Sequence, residues 1–569
     1  MKTLGVNVYG HDTAAALVID GTLVHAVEEE RLSRQKHDTQ LPFRAITYCL
    51  EEAGLAVDDL DMIAFSTDLD RLVREKYLRY HLENYESCRE HLAQSAGKIS
   101  AILGRQETVR QTLGFNGTIK SYQHHLCHLA SSFYQSGFED CATVSIDGQG
   151  EIETTLVGHG LNGKITALNK VDFPNSLGVV YTALTFYLGY RPNSAEGTVM
   201  ALAAMGDPDQ KISNDERTYY EFFCELISPT KDGGFEVNTD WFNYPFTREG
   251  WISEKFTSVL GPPREPESDL DPAYLHVAAA LQRRFEDIYL HVLQGAHDRT
   301  GSKNLALAGG CALNCVANGK IISNTGFEEV YIQPAAGDAG CAIGAAQLSA
   351  RELGDEIPVR RRLDTYLGPA YDDVAIEAAL TERSQSFERL DDPAARAAEL
   401  LSEGNIIAWF QGKAEYGPRA LGNRSILAAP FPLAVKDKIN DKVKHREFFR
   451  PFAPAVLDDS FDTVFDGYRL SPFMLMAMTV RENWEDKLPA IIHTDGSARV
   501  QTVLAETNAL FYRLISKFNE ITGVPVVLNT SFNDKGEPMV CSPDDALNTF
   551  LGTDIDHLVI GNFLVSKPS

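Results

Sequence analysis

Residues 4–33, LGVNVYGHDTAAALVIDGTLVHAVEEERLS, decide how the N-terminal part of this chain folds. Apolar runs at 4–8, 14–19 and 23–27 predict three strands, and Asp20-Gly21 predicts a tight hairpin turn between the last two. The pattern returns at 141–171, CATVSIDGQGEIETTLVGHGLNGKITALNKV, where Asn162-Gly163 predicts a second such turn. Two copies of strand, polar glycine turn and hairpin predict a duplicated α/β fold.

The rest of the chain extends this fold and then adds a second one. Helical periodicity at 273–300 and two strand–turn–helix patterns, at 304–321 and 329–350, belong to the first part. Charge and proline at 353–371 predict a linker, and strands are predicted at 406–410, 425–430, 452–457 and 524–529. We therefore predict a domain over 1–352, a linker over 353–371 and a second α/β domain over 372–569.

Composition excludes several classes of protein. The 569 residues carry a formal net charge of -27, and so acidic a surface repels a phosphate backbone, which argues against a nucleic-acid partner. No window offers about 18 uninterrupted apolar residues, so no membrane partner is expected. Nine cysteines without a CxxC pair suit a reducing compartment, and we expect a cytoplasmic protein.

Four residues are candidates for a metal site. His124 and His128 lie four apart in a segment with helical periodicity, so both imidazoles project from one helix face and form half of a metal site. Asp147 and Asp338 each follow a predicted strand beside glycine and complete the set. The structural alternatives are capped or core histidines, a turn aspartate and a helix N-cap, and the sequence leaves them open.

Two glycine-rich turns are candidates for phosphate binding. Both turns follow apolar strands, where glycine lets backbone N–H groups approach an anion. Neither turn matches the Walker or the Rossmann pattern. The residues are Gly148, Gln149 and Gly150 in the first turn, and Gly309 and Gly310 in the second, with Asn314 as a polar contact or a tolerated helix residue.

Cationic and polar residues of the second domain form a further group. Arg419, Arg424 and Arg450 abut glycine, proline and apolar strands, where a charge is buried only with a partner. A guanidinium fork suits phosphate and carbamate oxygens. Lys444 belongs to a run of cations whose alternative role is a solvated helix face, and the candidates at other strand ends are Arg499, Asn529 and Ser531.

The first predicted turn contains His11-Asp12, a histidine beside a carboxylate. Such a pair is a candidate base for a hydroxyl group. A turn histidine bonded to its own backbone is the equal alternative.

Strings along nearly the whole chain resemble the antibiotic and nodulation-factor O-carbamoyltransferase family. They include GHDTAAALVIDG, EEERLSRQKHD, QHHLCHLASSFYQSGF, LAGGCALNCVANG, QPAAGDAGCAIGAA, EYGPRALGNRSILA, REFFRPFAPAV and LNTSFNDKGEP, in the order that the family has them. The resemblance implies a duplicated sugar kinase/actin-like first domain and a YrdC-like second domain.

The resemblance also implies a two-step reaction. In the second domain, carbamoyl phosphate and ATP, with Mg(II), give carbamoyl adenylate; in the first, a hydroxyl of a small molecule, such as an antibiotic or another secondary metabolite, takes the carbamoyl group. By position, His124, His128, Asp147 and Asp338 would hold Fe(II) or another divalent transition metal. The glycine-turn residues and Asn314 would hold the nucleotide, and His11 would act on the acceptor.

The remaining implied roles belong to the activation pocket, which Arg419, Arg424, Lys444, Arg450, Arg499, Asn529 and Ser531 would line. One departure from the family pattern is EGTVMALAAMG, in which Thr198 replaces a lysine. The acceptor and the assembly, a homodimer included, stay open. Residues 60–110 and 208–270 are the expected walls of the acceptor site. The net negative charge of the chain weakly favours a cationic acceptor.

Two other functions compete with this interpretation. A tRNA-modifying threonylcarbamoyl-type transferase of the same superfamily is disfavoured by the charge of -27. A nucleotide sensor without catalytic activity would not need both the arginines and the metal-type residues.

Overall fold

The computed structural model describes residues 1–10, 12–247, 250–447 and 449–567, apart from the side chains of His91 and Lys442. It divides the chain into two compact units. The first comprises Met1–Val24 and Thr39–Arg361, and the second comprises His25–Asp38 and Arg362–Ser569. The second unit thus includes a stretch that the predicted boundaries assign to the first domain.

The strands of the first unit form two five-stranded sheets and a small hairpin. In chain order they are β1 (Lys2–Asn7), β2 (Ala14–Ile19), β3 (Thr22–Glu28), β4 (Met62–Phe65), β5 (Thr118–Ser121), β6 (Asp140–Ile146), β7 (Glu153–Leu161), β8 (Lys164–Asp172), β9 (Ile227–Pro229), β10 (Phe235–Val237), β11 (Asn304–Ala308) and β12 (Glu329–Ile332). The last residues of β3 belong to the second unit.

The two large sheets share one topology. The first has the order β3-β2-β1-β4-β5, and the second has the order β8-β7-β6-β11-β12. In each, the first strand in sequence pairs antiparallel with the next strand and parallel with a later one, as β1 does with β2 and β4, and β6 with β7 and β11. The duplication that the two hairpin signals predict is therefore confirmed.

The helices up to residue 352 connect these strands, and the first of them belongs to the second unit. They are α1 (Glu29–Ser33), α2 (Phe43–Glu52), α3 (Leu69–Arg71), α4 (Tyr80–Glu83), α5 (Tyr85–Leu113), α6 (His124–Ser136), α7 (Leu177–Tyr187), α8 (Glu196–Ala203), α9 (Tyr219–Leu226), α10 (Glu254–Leu260), α11 (Pro272–Thr300), α12 (Cys315–Gly319), α13 (Ile321–Asn324) and α14 (Gly340–Glu352). A π-helical segment, Leu72–Arg79, joins α3 to α4. The buried α6 and α14 pack together beneath the sheets.

The second unit is built on one ten-stranded mixed sheet. Its strands are β13 (Phe387–Arg389), β14 (Ile407–Phe410), β15 (Arg424–Ala428), β16 (Ala453–Leu457), β17 (Phe465–Asp466), β18 (Met476–Val480), β19 (Ser497–Val503), β20 (Val526–Ser531), β21 (His557–Ile560) and β22 (Phe563–Ser566). Their order is β13-β22-β21-β14-β15-β20-β16-β19-β18-β17. The four strands predicted from apolar runs are β14, β15, β16 and β20.

Helices cover the sheet of the second unit. They are α15 (Asp373–Glu382), α16 (Pro393–Ser402), α17 (Ala434–Ile439), α18 (Phe461–Val464), α19 (Glu482–Glu485), α20 (Ala509–Thr522) and α21 (Pro543–Gly552), with a π-helical segment at Asn440–Lys444. The predicted α/β class is confirmed for both units. Among the helices of the described residues, none combines the length and hydrophobicity that crossing a bilayer requires.

Candidate functional site

Helix α6 presents the two predicted imidazole ligands. His124 and His128 are one turn apart and both are buried, at 3% and 0% exposure. The carboxylate of Glu151 accepts the His124 backbone N–H at 2.9 Å, so a buried acid fixes the start of this helix. His125 does not join this pair, because its ring bonds Ser145 Oγ and the Glu153 carbonyl.

Both predicted carboxylates lie beside these imidazoles. Asp147 Oδ2 is 3.2 Å from His124 Nε2 and 3.3 Å from His128 Nε2, and the two Nε2 atoms are 3.1 Å apart. Asp338 Oδ1 is 3.6 Å from His124 Nε2. Ligand atoms of all four residues lie within 4.8 Å of one another. The structure therefore brings together residues that are 214 positions apart in the sequence.

This donor set fits a divalent transition metal. Ligands about 2.1 Å from one ion lie roughly 3.0–3.4 Å from each other, close to the separations among the two imidazoles and Asp147. Two imidazoles and two carboxylates suit iron, manganese or zinc. Asp338 is also not the N-cap that the alternative interpretation required, because α14 begins at Gly340 with Ala339 as its cap.

The electrostatics of the four residues are coupled. Burial alone would lower the pKa of His124, but its hydrogen bond to Asp147 and the charges of Asp338 and Asp147 outweigh burial and raise the pKa to about 9. Burial would raise the pKa of Asp147, yet its hydrogen bonds with both imidazoles hold it well below the usual range. The carboxylates therefore stabilise positive charge at this position.

The second glycine turn contacts Asp147, the residue just before the first glycine turn. Gly310 donates its backbone N–H to Asp147 Oδ1 at 2.8 Å, so this amide orients a candidate metal ligand and is not open to a phosphate. A Cβ on Gly309, whose φ is +91°, would lie 2.2 Å from the Ile146 carbonyl oxygen. Glycine at 309 thus allows two strand ends to approach closely.

The first glycine turn has a more open character. The Gln149 amide nitrogen is buried and makes no hydrogen bond to the described residues. A Cβ on Gly148 would meet only a Val179 methyl group, at 4.0 Å, whereas a Cβ on Gly150 would lie 2.9 Å from the His125 ring. Gly150 therefore serves packing, and Gly148 and Gln149 keep room for a ligand.

Asn314 has a role that the sequence did not settle. Its side chain caps α12 by accepting the Ala317 N–H at 3.1 Å, and its amide exchanges hydrogen bonds with Gln282. It is thus neither inside the helix nor fully available to a nucleotide.

The loop that follows β1 reaches the metal-type residues. A Cβ on Gly10, whose φ is +88°, would lie 2.7 Å from Asp338 Oδ2. Asp12 also has a positive φ, of 59°, and its carbonyl accepts a hydrogen bond from the Asn7 amide. His11 lies outside the described residues, so its catalytic role stays a prediction.

The second unit contains a cluster of cations, which we call the cation cluster: Lys36, Lys444, Arg446, Arg450 and Arg499. Burial and the charges of Arg446, Lys36 and Arg450 lower the pKa of Lys444 well below its usual range. Burial and the charges of Arg450 and Arg499 do the same to Arg446. Cations that destabilise one another's charged state in this way form a site suited to an anion.

Lys444 is the anchor of this cluster. Its ammonium donates to the Ser531 carbonyl at 2.5 Å and to the Asn533 carbonyl at 2.9 Å, beyond the end of β20. It is 6% exposed, which rules out the solvated helix face. Arg446 and Asn533 were not among the predicted residues, although both lie in strings that carry the family resemblance.

Two predicted pocket residues have structural roles. Arg424 is fully buried, stacks 3.7 Å from the Phe410 ring and donates to four backbone carbonyls, among them those of Gln411 and Pro369. Asn529 is also fully buried, and its amide donates to Gln501 Oε1 at 2.8 Å. Most of their polar atoms form hydrogen bonds within the protein, and their contact with a ligand stays a prediction. Arg419 is half-buried in the same loop, and its role stays a prediction.

An acidic residue that the sequence analysis missed shapes this loop. One oxygen of buried Glu415 accepts the backbone N–H groups of Leu421, Asn423 and Arg424. Glu415 is the first residue of the segment EYGPRALGNR, and it therefore holds the backbone of that segment in place.

A second missed group comes from the string EEERLS. Glu28 accepts the Gly417 N–H at 2.6 Å, and Arg31 donates to the Gly417 carbonyl at 2.7 Å. Both side chains are buried, and Arg34 adds an ion pair with Asp545. The only available signal was an unexplained run of charge after an apolar strand.

Comparison with sequence profiles identifies the family of this chain. The profile described as the carbamoyltransferase N-terminus matches residues 2–347, and that described as the carbamoyltransferase C-terminus matches 398–567. This chain belongs to the carbamoyltransferase family. The carbamoyltransferase is 40% identical over 570 residues to nodulation protein NolNO of Sinorhizobium fredii, covering 99% of this chain and 80% of that one.

Other relatives extend the same picture. Nodulation protein NolO of Bradyrhizobium diazoefficiens is 41% identical over 452 residues, with 78% of each chain covered. An uncharacterised protein of Synechocystis is 37% identical over 606 residues, covering 99% of this carbamoyltransferase and 96% of that chain.

Solved structures resemble the carbamoyltransferase only distantly. Component A of the (R)-2-hydroxyglutaryl-CoA dehydratase of Acidaminococcus fermentans gives a TM-score of 0.33 at 16% identity, covering 62% of this chain and 98% of that one. A likeness of this size carries no argument about fold or function.

Proposed function

We propose that this carbamoyltransferase is an ATP-dependent O-carbamoyltransferase that forms carbamoyl adenylate in its second unit and uses it in its first. The observation that carries the proposal is the pairing of two unlike sites in one chain. The second unit holds the cation cluster in an otherwise acidic protein, and the first holds the His124, His128, Asp147 and Asp338 set.

The first step needs positive charge around several anions. Water releases phosphate from carbamoyl phosphate and leaves carbamate, whose oxygen attacks the α-phosphorus of ATP, and pyrophosphate leaves. Arg450, Arg499 and Lys444 would hold the phosphate and carbamate oxygens, with Mg(II) on the nucleotide. Ser531 and Asn533 would orient the Lys444 ammonium through the hydrogen bonds described above.

The second step needs an activated hydroxyl group. The acceptor oxygen attacks the carbamoyl carbon, the bond to the adenylate oxygen breaks and AMP leaves. His11, beside Asp12, would take the hydroxyl proton. A divalent metal, Fe(II) in the related family, held by His124, His128, Asp147 and Asp338 would offset charge on the leaving phosphate. The open Gly148–Gln149 turn would contact the nucleotide.

The fold assignments belong to the same proposal. The repeated sheet order of the first unit supports a sugar kinase/actin-type fold, and the mixed sheet of the second supports a YrdC-like fold. The acceptor would be a small molecule such as an antibiotic or another secondary metabolite, and the chain would act in the cytoplasm.

Two measurements test the proposal. The purified chain should release pyrophosphate from ATP only when carbamoyl phosphate is present, and mass spectrometry should find carbamoyl adenylate. Arg450→Ala should abolish this release by removing one guanidinium from the anion site, whereas Arg469→Ala, at an exposed ion pair with Asp458, should not. Pyrophosphate release that does not depend on carbamoyl phosphate, or normal pyrophosphate release by Arg450→Ala, would contradict the proposal.

A further inference from the structure

A second group of cations surrounds Tyr9, one residue before Gly10. Lys76 Nζ, Lys98 Nζ and Arg105 Cζ lie 5.7, 5.8 and 5.9 Å from the centre of the Tyr9 ring. Tyr9 also bonds the hydroxyl of buried Tyr77 at 3.0 Å. We call these five residues the Tyr9 cluster.

Arg105 supplies the main evidence that the cluster can bind an anion. Within the described part of the chain, Arg105 Nη1 is buried without a hydrogen-bond partner. Burial lowers the pKa of Arg105, the phenols of Tyr9 and Tyr77 oppose this shift, and no carboxylate of the described residues contributes to it. One aromatic ring attracts a cation only weakly, so converging cations here leave room for an anion to stabilise them.

The backbone places the cluster next to the metal-type residues. Gly10 packs against Asp338, so Tyr9 is one residue, about 3.8 Å along the chain, from that contact. The segment that carries Lys76 and Tyr77 follows α3, and Glu151, which holds the start of α6, also accepts the Asp68 N–H at 2.8 Å. The same acid therefore fixes both segments.

Helix α5 supplies the other two cations. Lys98 and Arg105 are seven residues apart, about two turns, so both project from one face of this helix. These residues lie in the stretch 60–110 that the sequence analysis assigned to the acceptor wall. Positive charge on this stretch would favour an anionic acceptor, whereas the net charge of the chain favours a cationic one.

We propose that the Tyr9 cluster binds the acceptor and selects a hydroxyl compound that carries an anionic group, such as a carboxylate, sulfate or phosphate. Lys98 and Arg105 would hold the anion, and the Tyr9 ring would support the body of the molecule. This inference rests on the proposed function, because it specifies the substrate class of the transfer step.

A charge series on one hydroxylated ring tests the inference. Ligand-observed NMR with the full chain would measure binding of glucuronate, glucose 6-phosphate, glucose and glucosamine. We expect the two anionic sugars to bind at least tenfold more tightly than the neutral and cationic ones. Equal binding, tightest binding of glucosamine, or no binding across the series would overturn the proposal; comparing the two anionic sugars separates carboxylate from phosphate recognition.

Variants locate the preference in the cluster. Lys98→Gln/Arg105→Gln should reduce the anion preference to near unity, while Arg89→Gln, at an exposed cation on the same helix, should keep it. A preference that survives in the double variant assigns binding to another site, such as the cation cluster, and overturns the proposal. Pyrophosphate release by the unmodified chain needs no acceptor, so its absence would reject the proposed function separately.

Discussion

At the scale of single residues, the first unit concentrates its chemistry on imidazoles that are almost inaccessible to water. His128 Nε2 faces Asp147 and His124, whereas its Nδ1 is buried and has no hydrogen bond within the described chain. An imidazole whose Nε2 lies beside a carboxylate oxygen and a second imidazole nitrogen is arranged as a metal ligand would be. We infer that its role is to bind a cation.

His128→Ala should therefore lose the metal. Removing one of four ligands weakens affinity by at least about tenfold, since even residues that only orient a ligand cost that much. Elemental analysis of the purified protein measures the occupancy. His159→Ala is the matched control, because His159 pairs with Asp140 at the surface. Equal metal content in His128→Ala and the unmodified chain would show that the ion binds elsewhere.

Lys444 leads to a prediction about pH. Burial and the charges of neighbouring cations lower its pKa well below the usual range, so its ammonium holds the proton less tightly before an anion binds. A bound dianion restores the charge, and binding should take up a proton and weaken as pH rises above neutrality. Calorimetric titration with sulfate, in two buffers of different ionisation enthalpy, measures that uptake.

The control for this effect is another lysine of the same unit. Lys438 pairs with Asp556 at 3.1 Å and is 39% exposed. Lys438→Met should keep the proton uptake, and Lys444→Met should remove it. Uptake that is the same in both variants would assign the proton to another group.

At the scale of elements, the start of α1 is coupled to the loop between β14 and β15. Glu28 bonds Gly417, and burial, opposed by Arg31, raises the Glu28 pKa from 4.5 to about 7. A carboxyl whose pKa is higher in the folded state stabilises the fold while protonated. Its contribution is complete below pH 4.5 and is lost as pH rises towards 7.

Glu28→Gln should remove this dependence. Relative to the variant, the unmodified chain should lose about 3 kcal/mol of stability between pH 4.5 and 7, because 2.5 pKa units correspond to that free energy. Urea unfolding at several pH values measures the difference, in which other titrating groups cancel. A difference that does not change with pH would show that Glu28 is charged throughout.

The secondary-structure elements were easier to predict from the sequence than the contacts of individual side chains. The duplicated sheets, the long α11 and four strands of the second unit follow from apolar periodicity, which is a local property. The imidazole pair also follows from a local four-residue spacing. Glu415 and Arg446 could not be found in this way, because their roles depend on contacts that periodicity does not encode.

The contacts that the sequence did not reveal have the same physical origin. Arg424 was expected to contact a ligand because it stands at the start of a strand, but four carbonyls already accept its N–H groups. Gly310 was expected to present its amide to a phosphate, but Asp147 takes it. Residue type and position suggest which groups a side chain can bind, and only packing decides which of them it meets.

At the scale of the whole molecule, the second unit is discontinuous in sequence. Residues 25–38, far upstream of the rest, belong to it, and Arg31 and Arg34 contribute hydrogen bonds to Gly417 and Met539. Carbamoyl activation in this unit would therefore depend on a piece of chain that the coding sequence places hundreds of codons earlier.

A fragment cut at residue 362 would thus lack an internal part of its own core. We expect residues 362–569 expressed alone to be largely insoluble and inactive in pyrophosphate release. A fusion that joins residues 25–38 to this fragment should recover folding, which circular dichroism and gel filtration would measure. A well-folded, active 362–569 would refute this. The second unit therefore could not be transferred between genes as one continuous segment. A gene split at the linker would leave the second unit without residues 25–38.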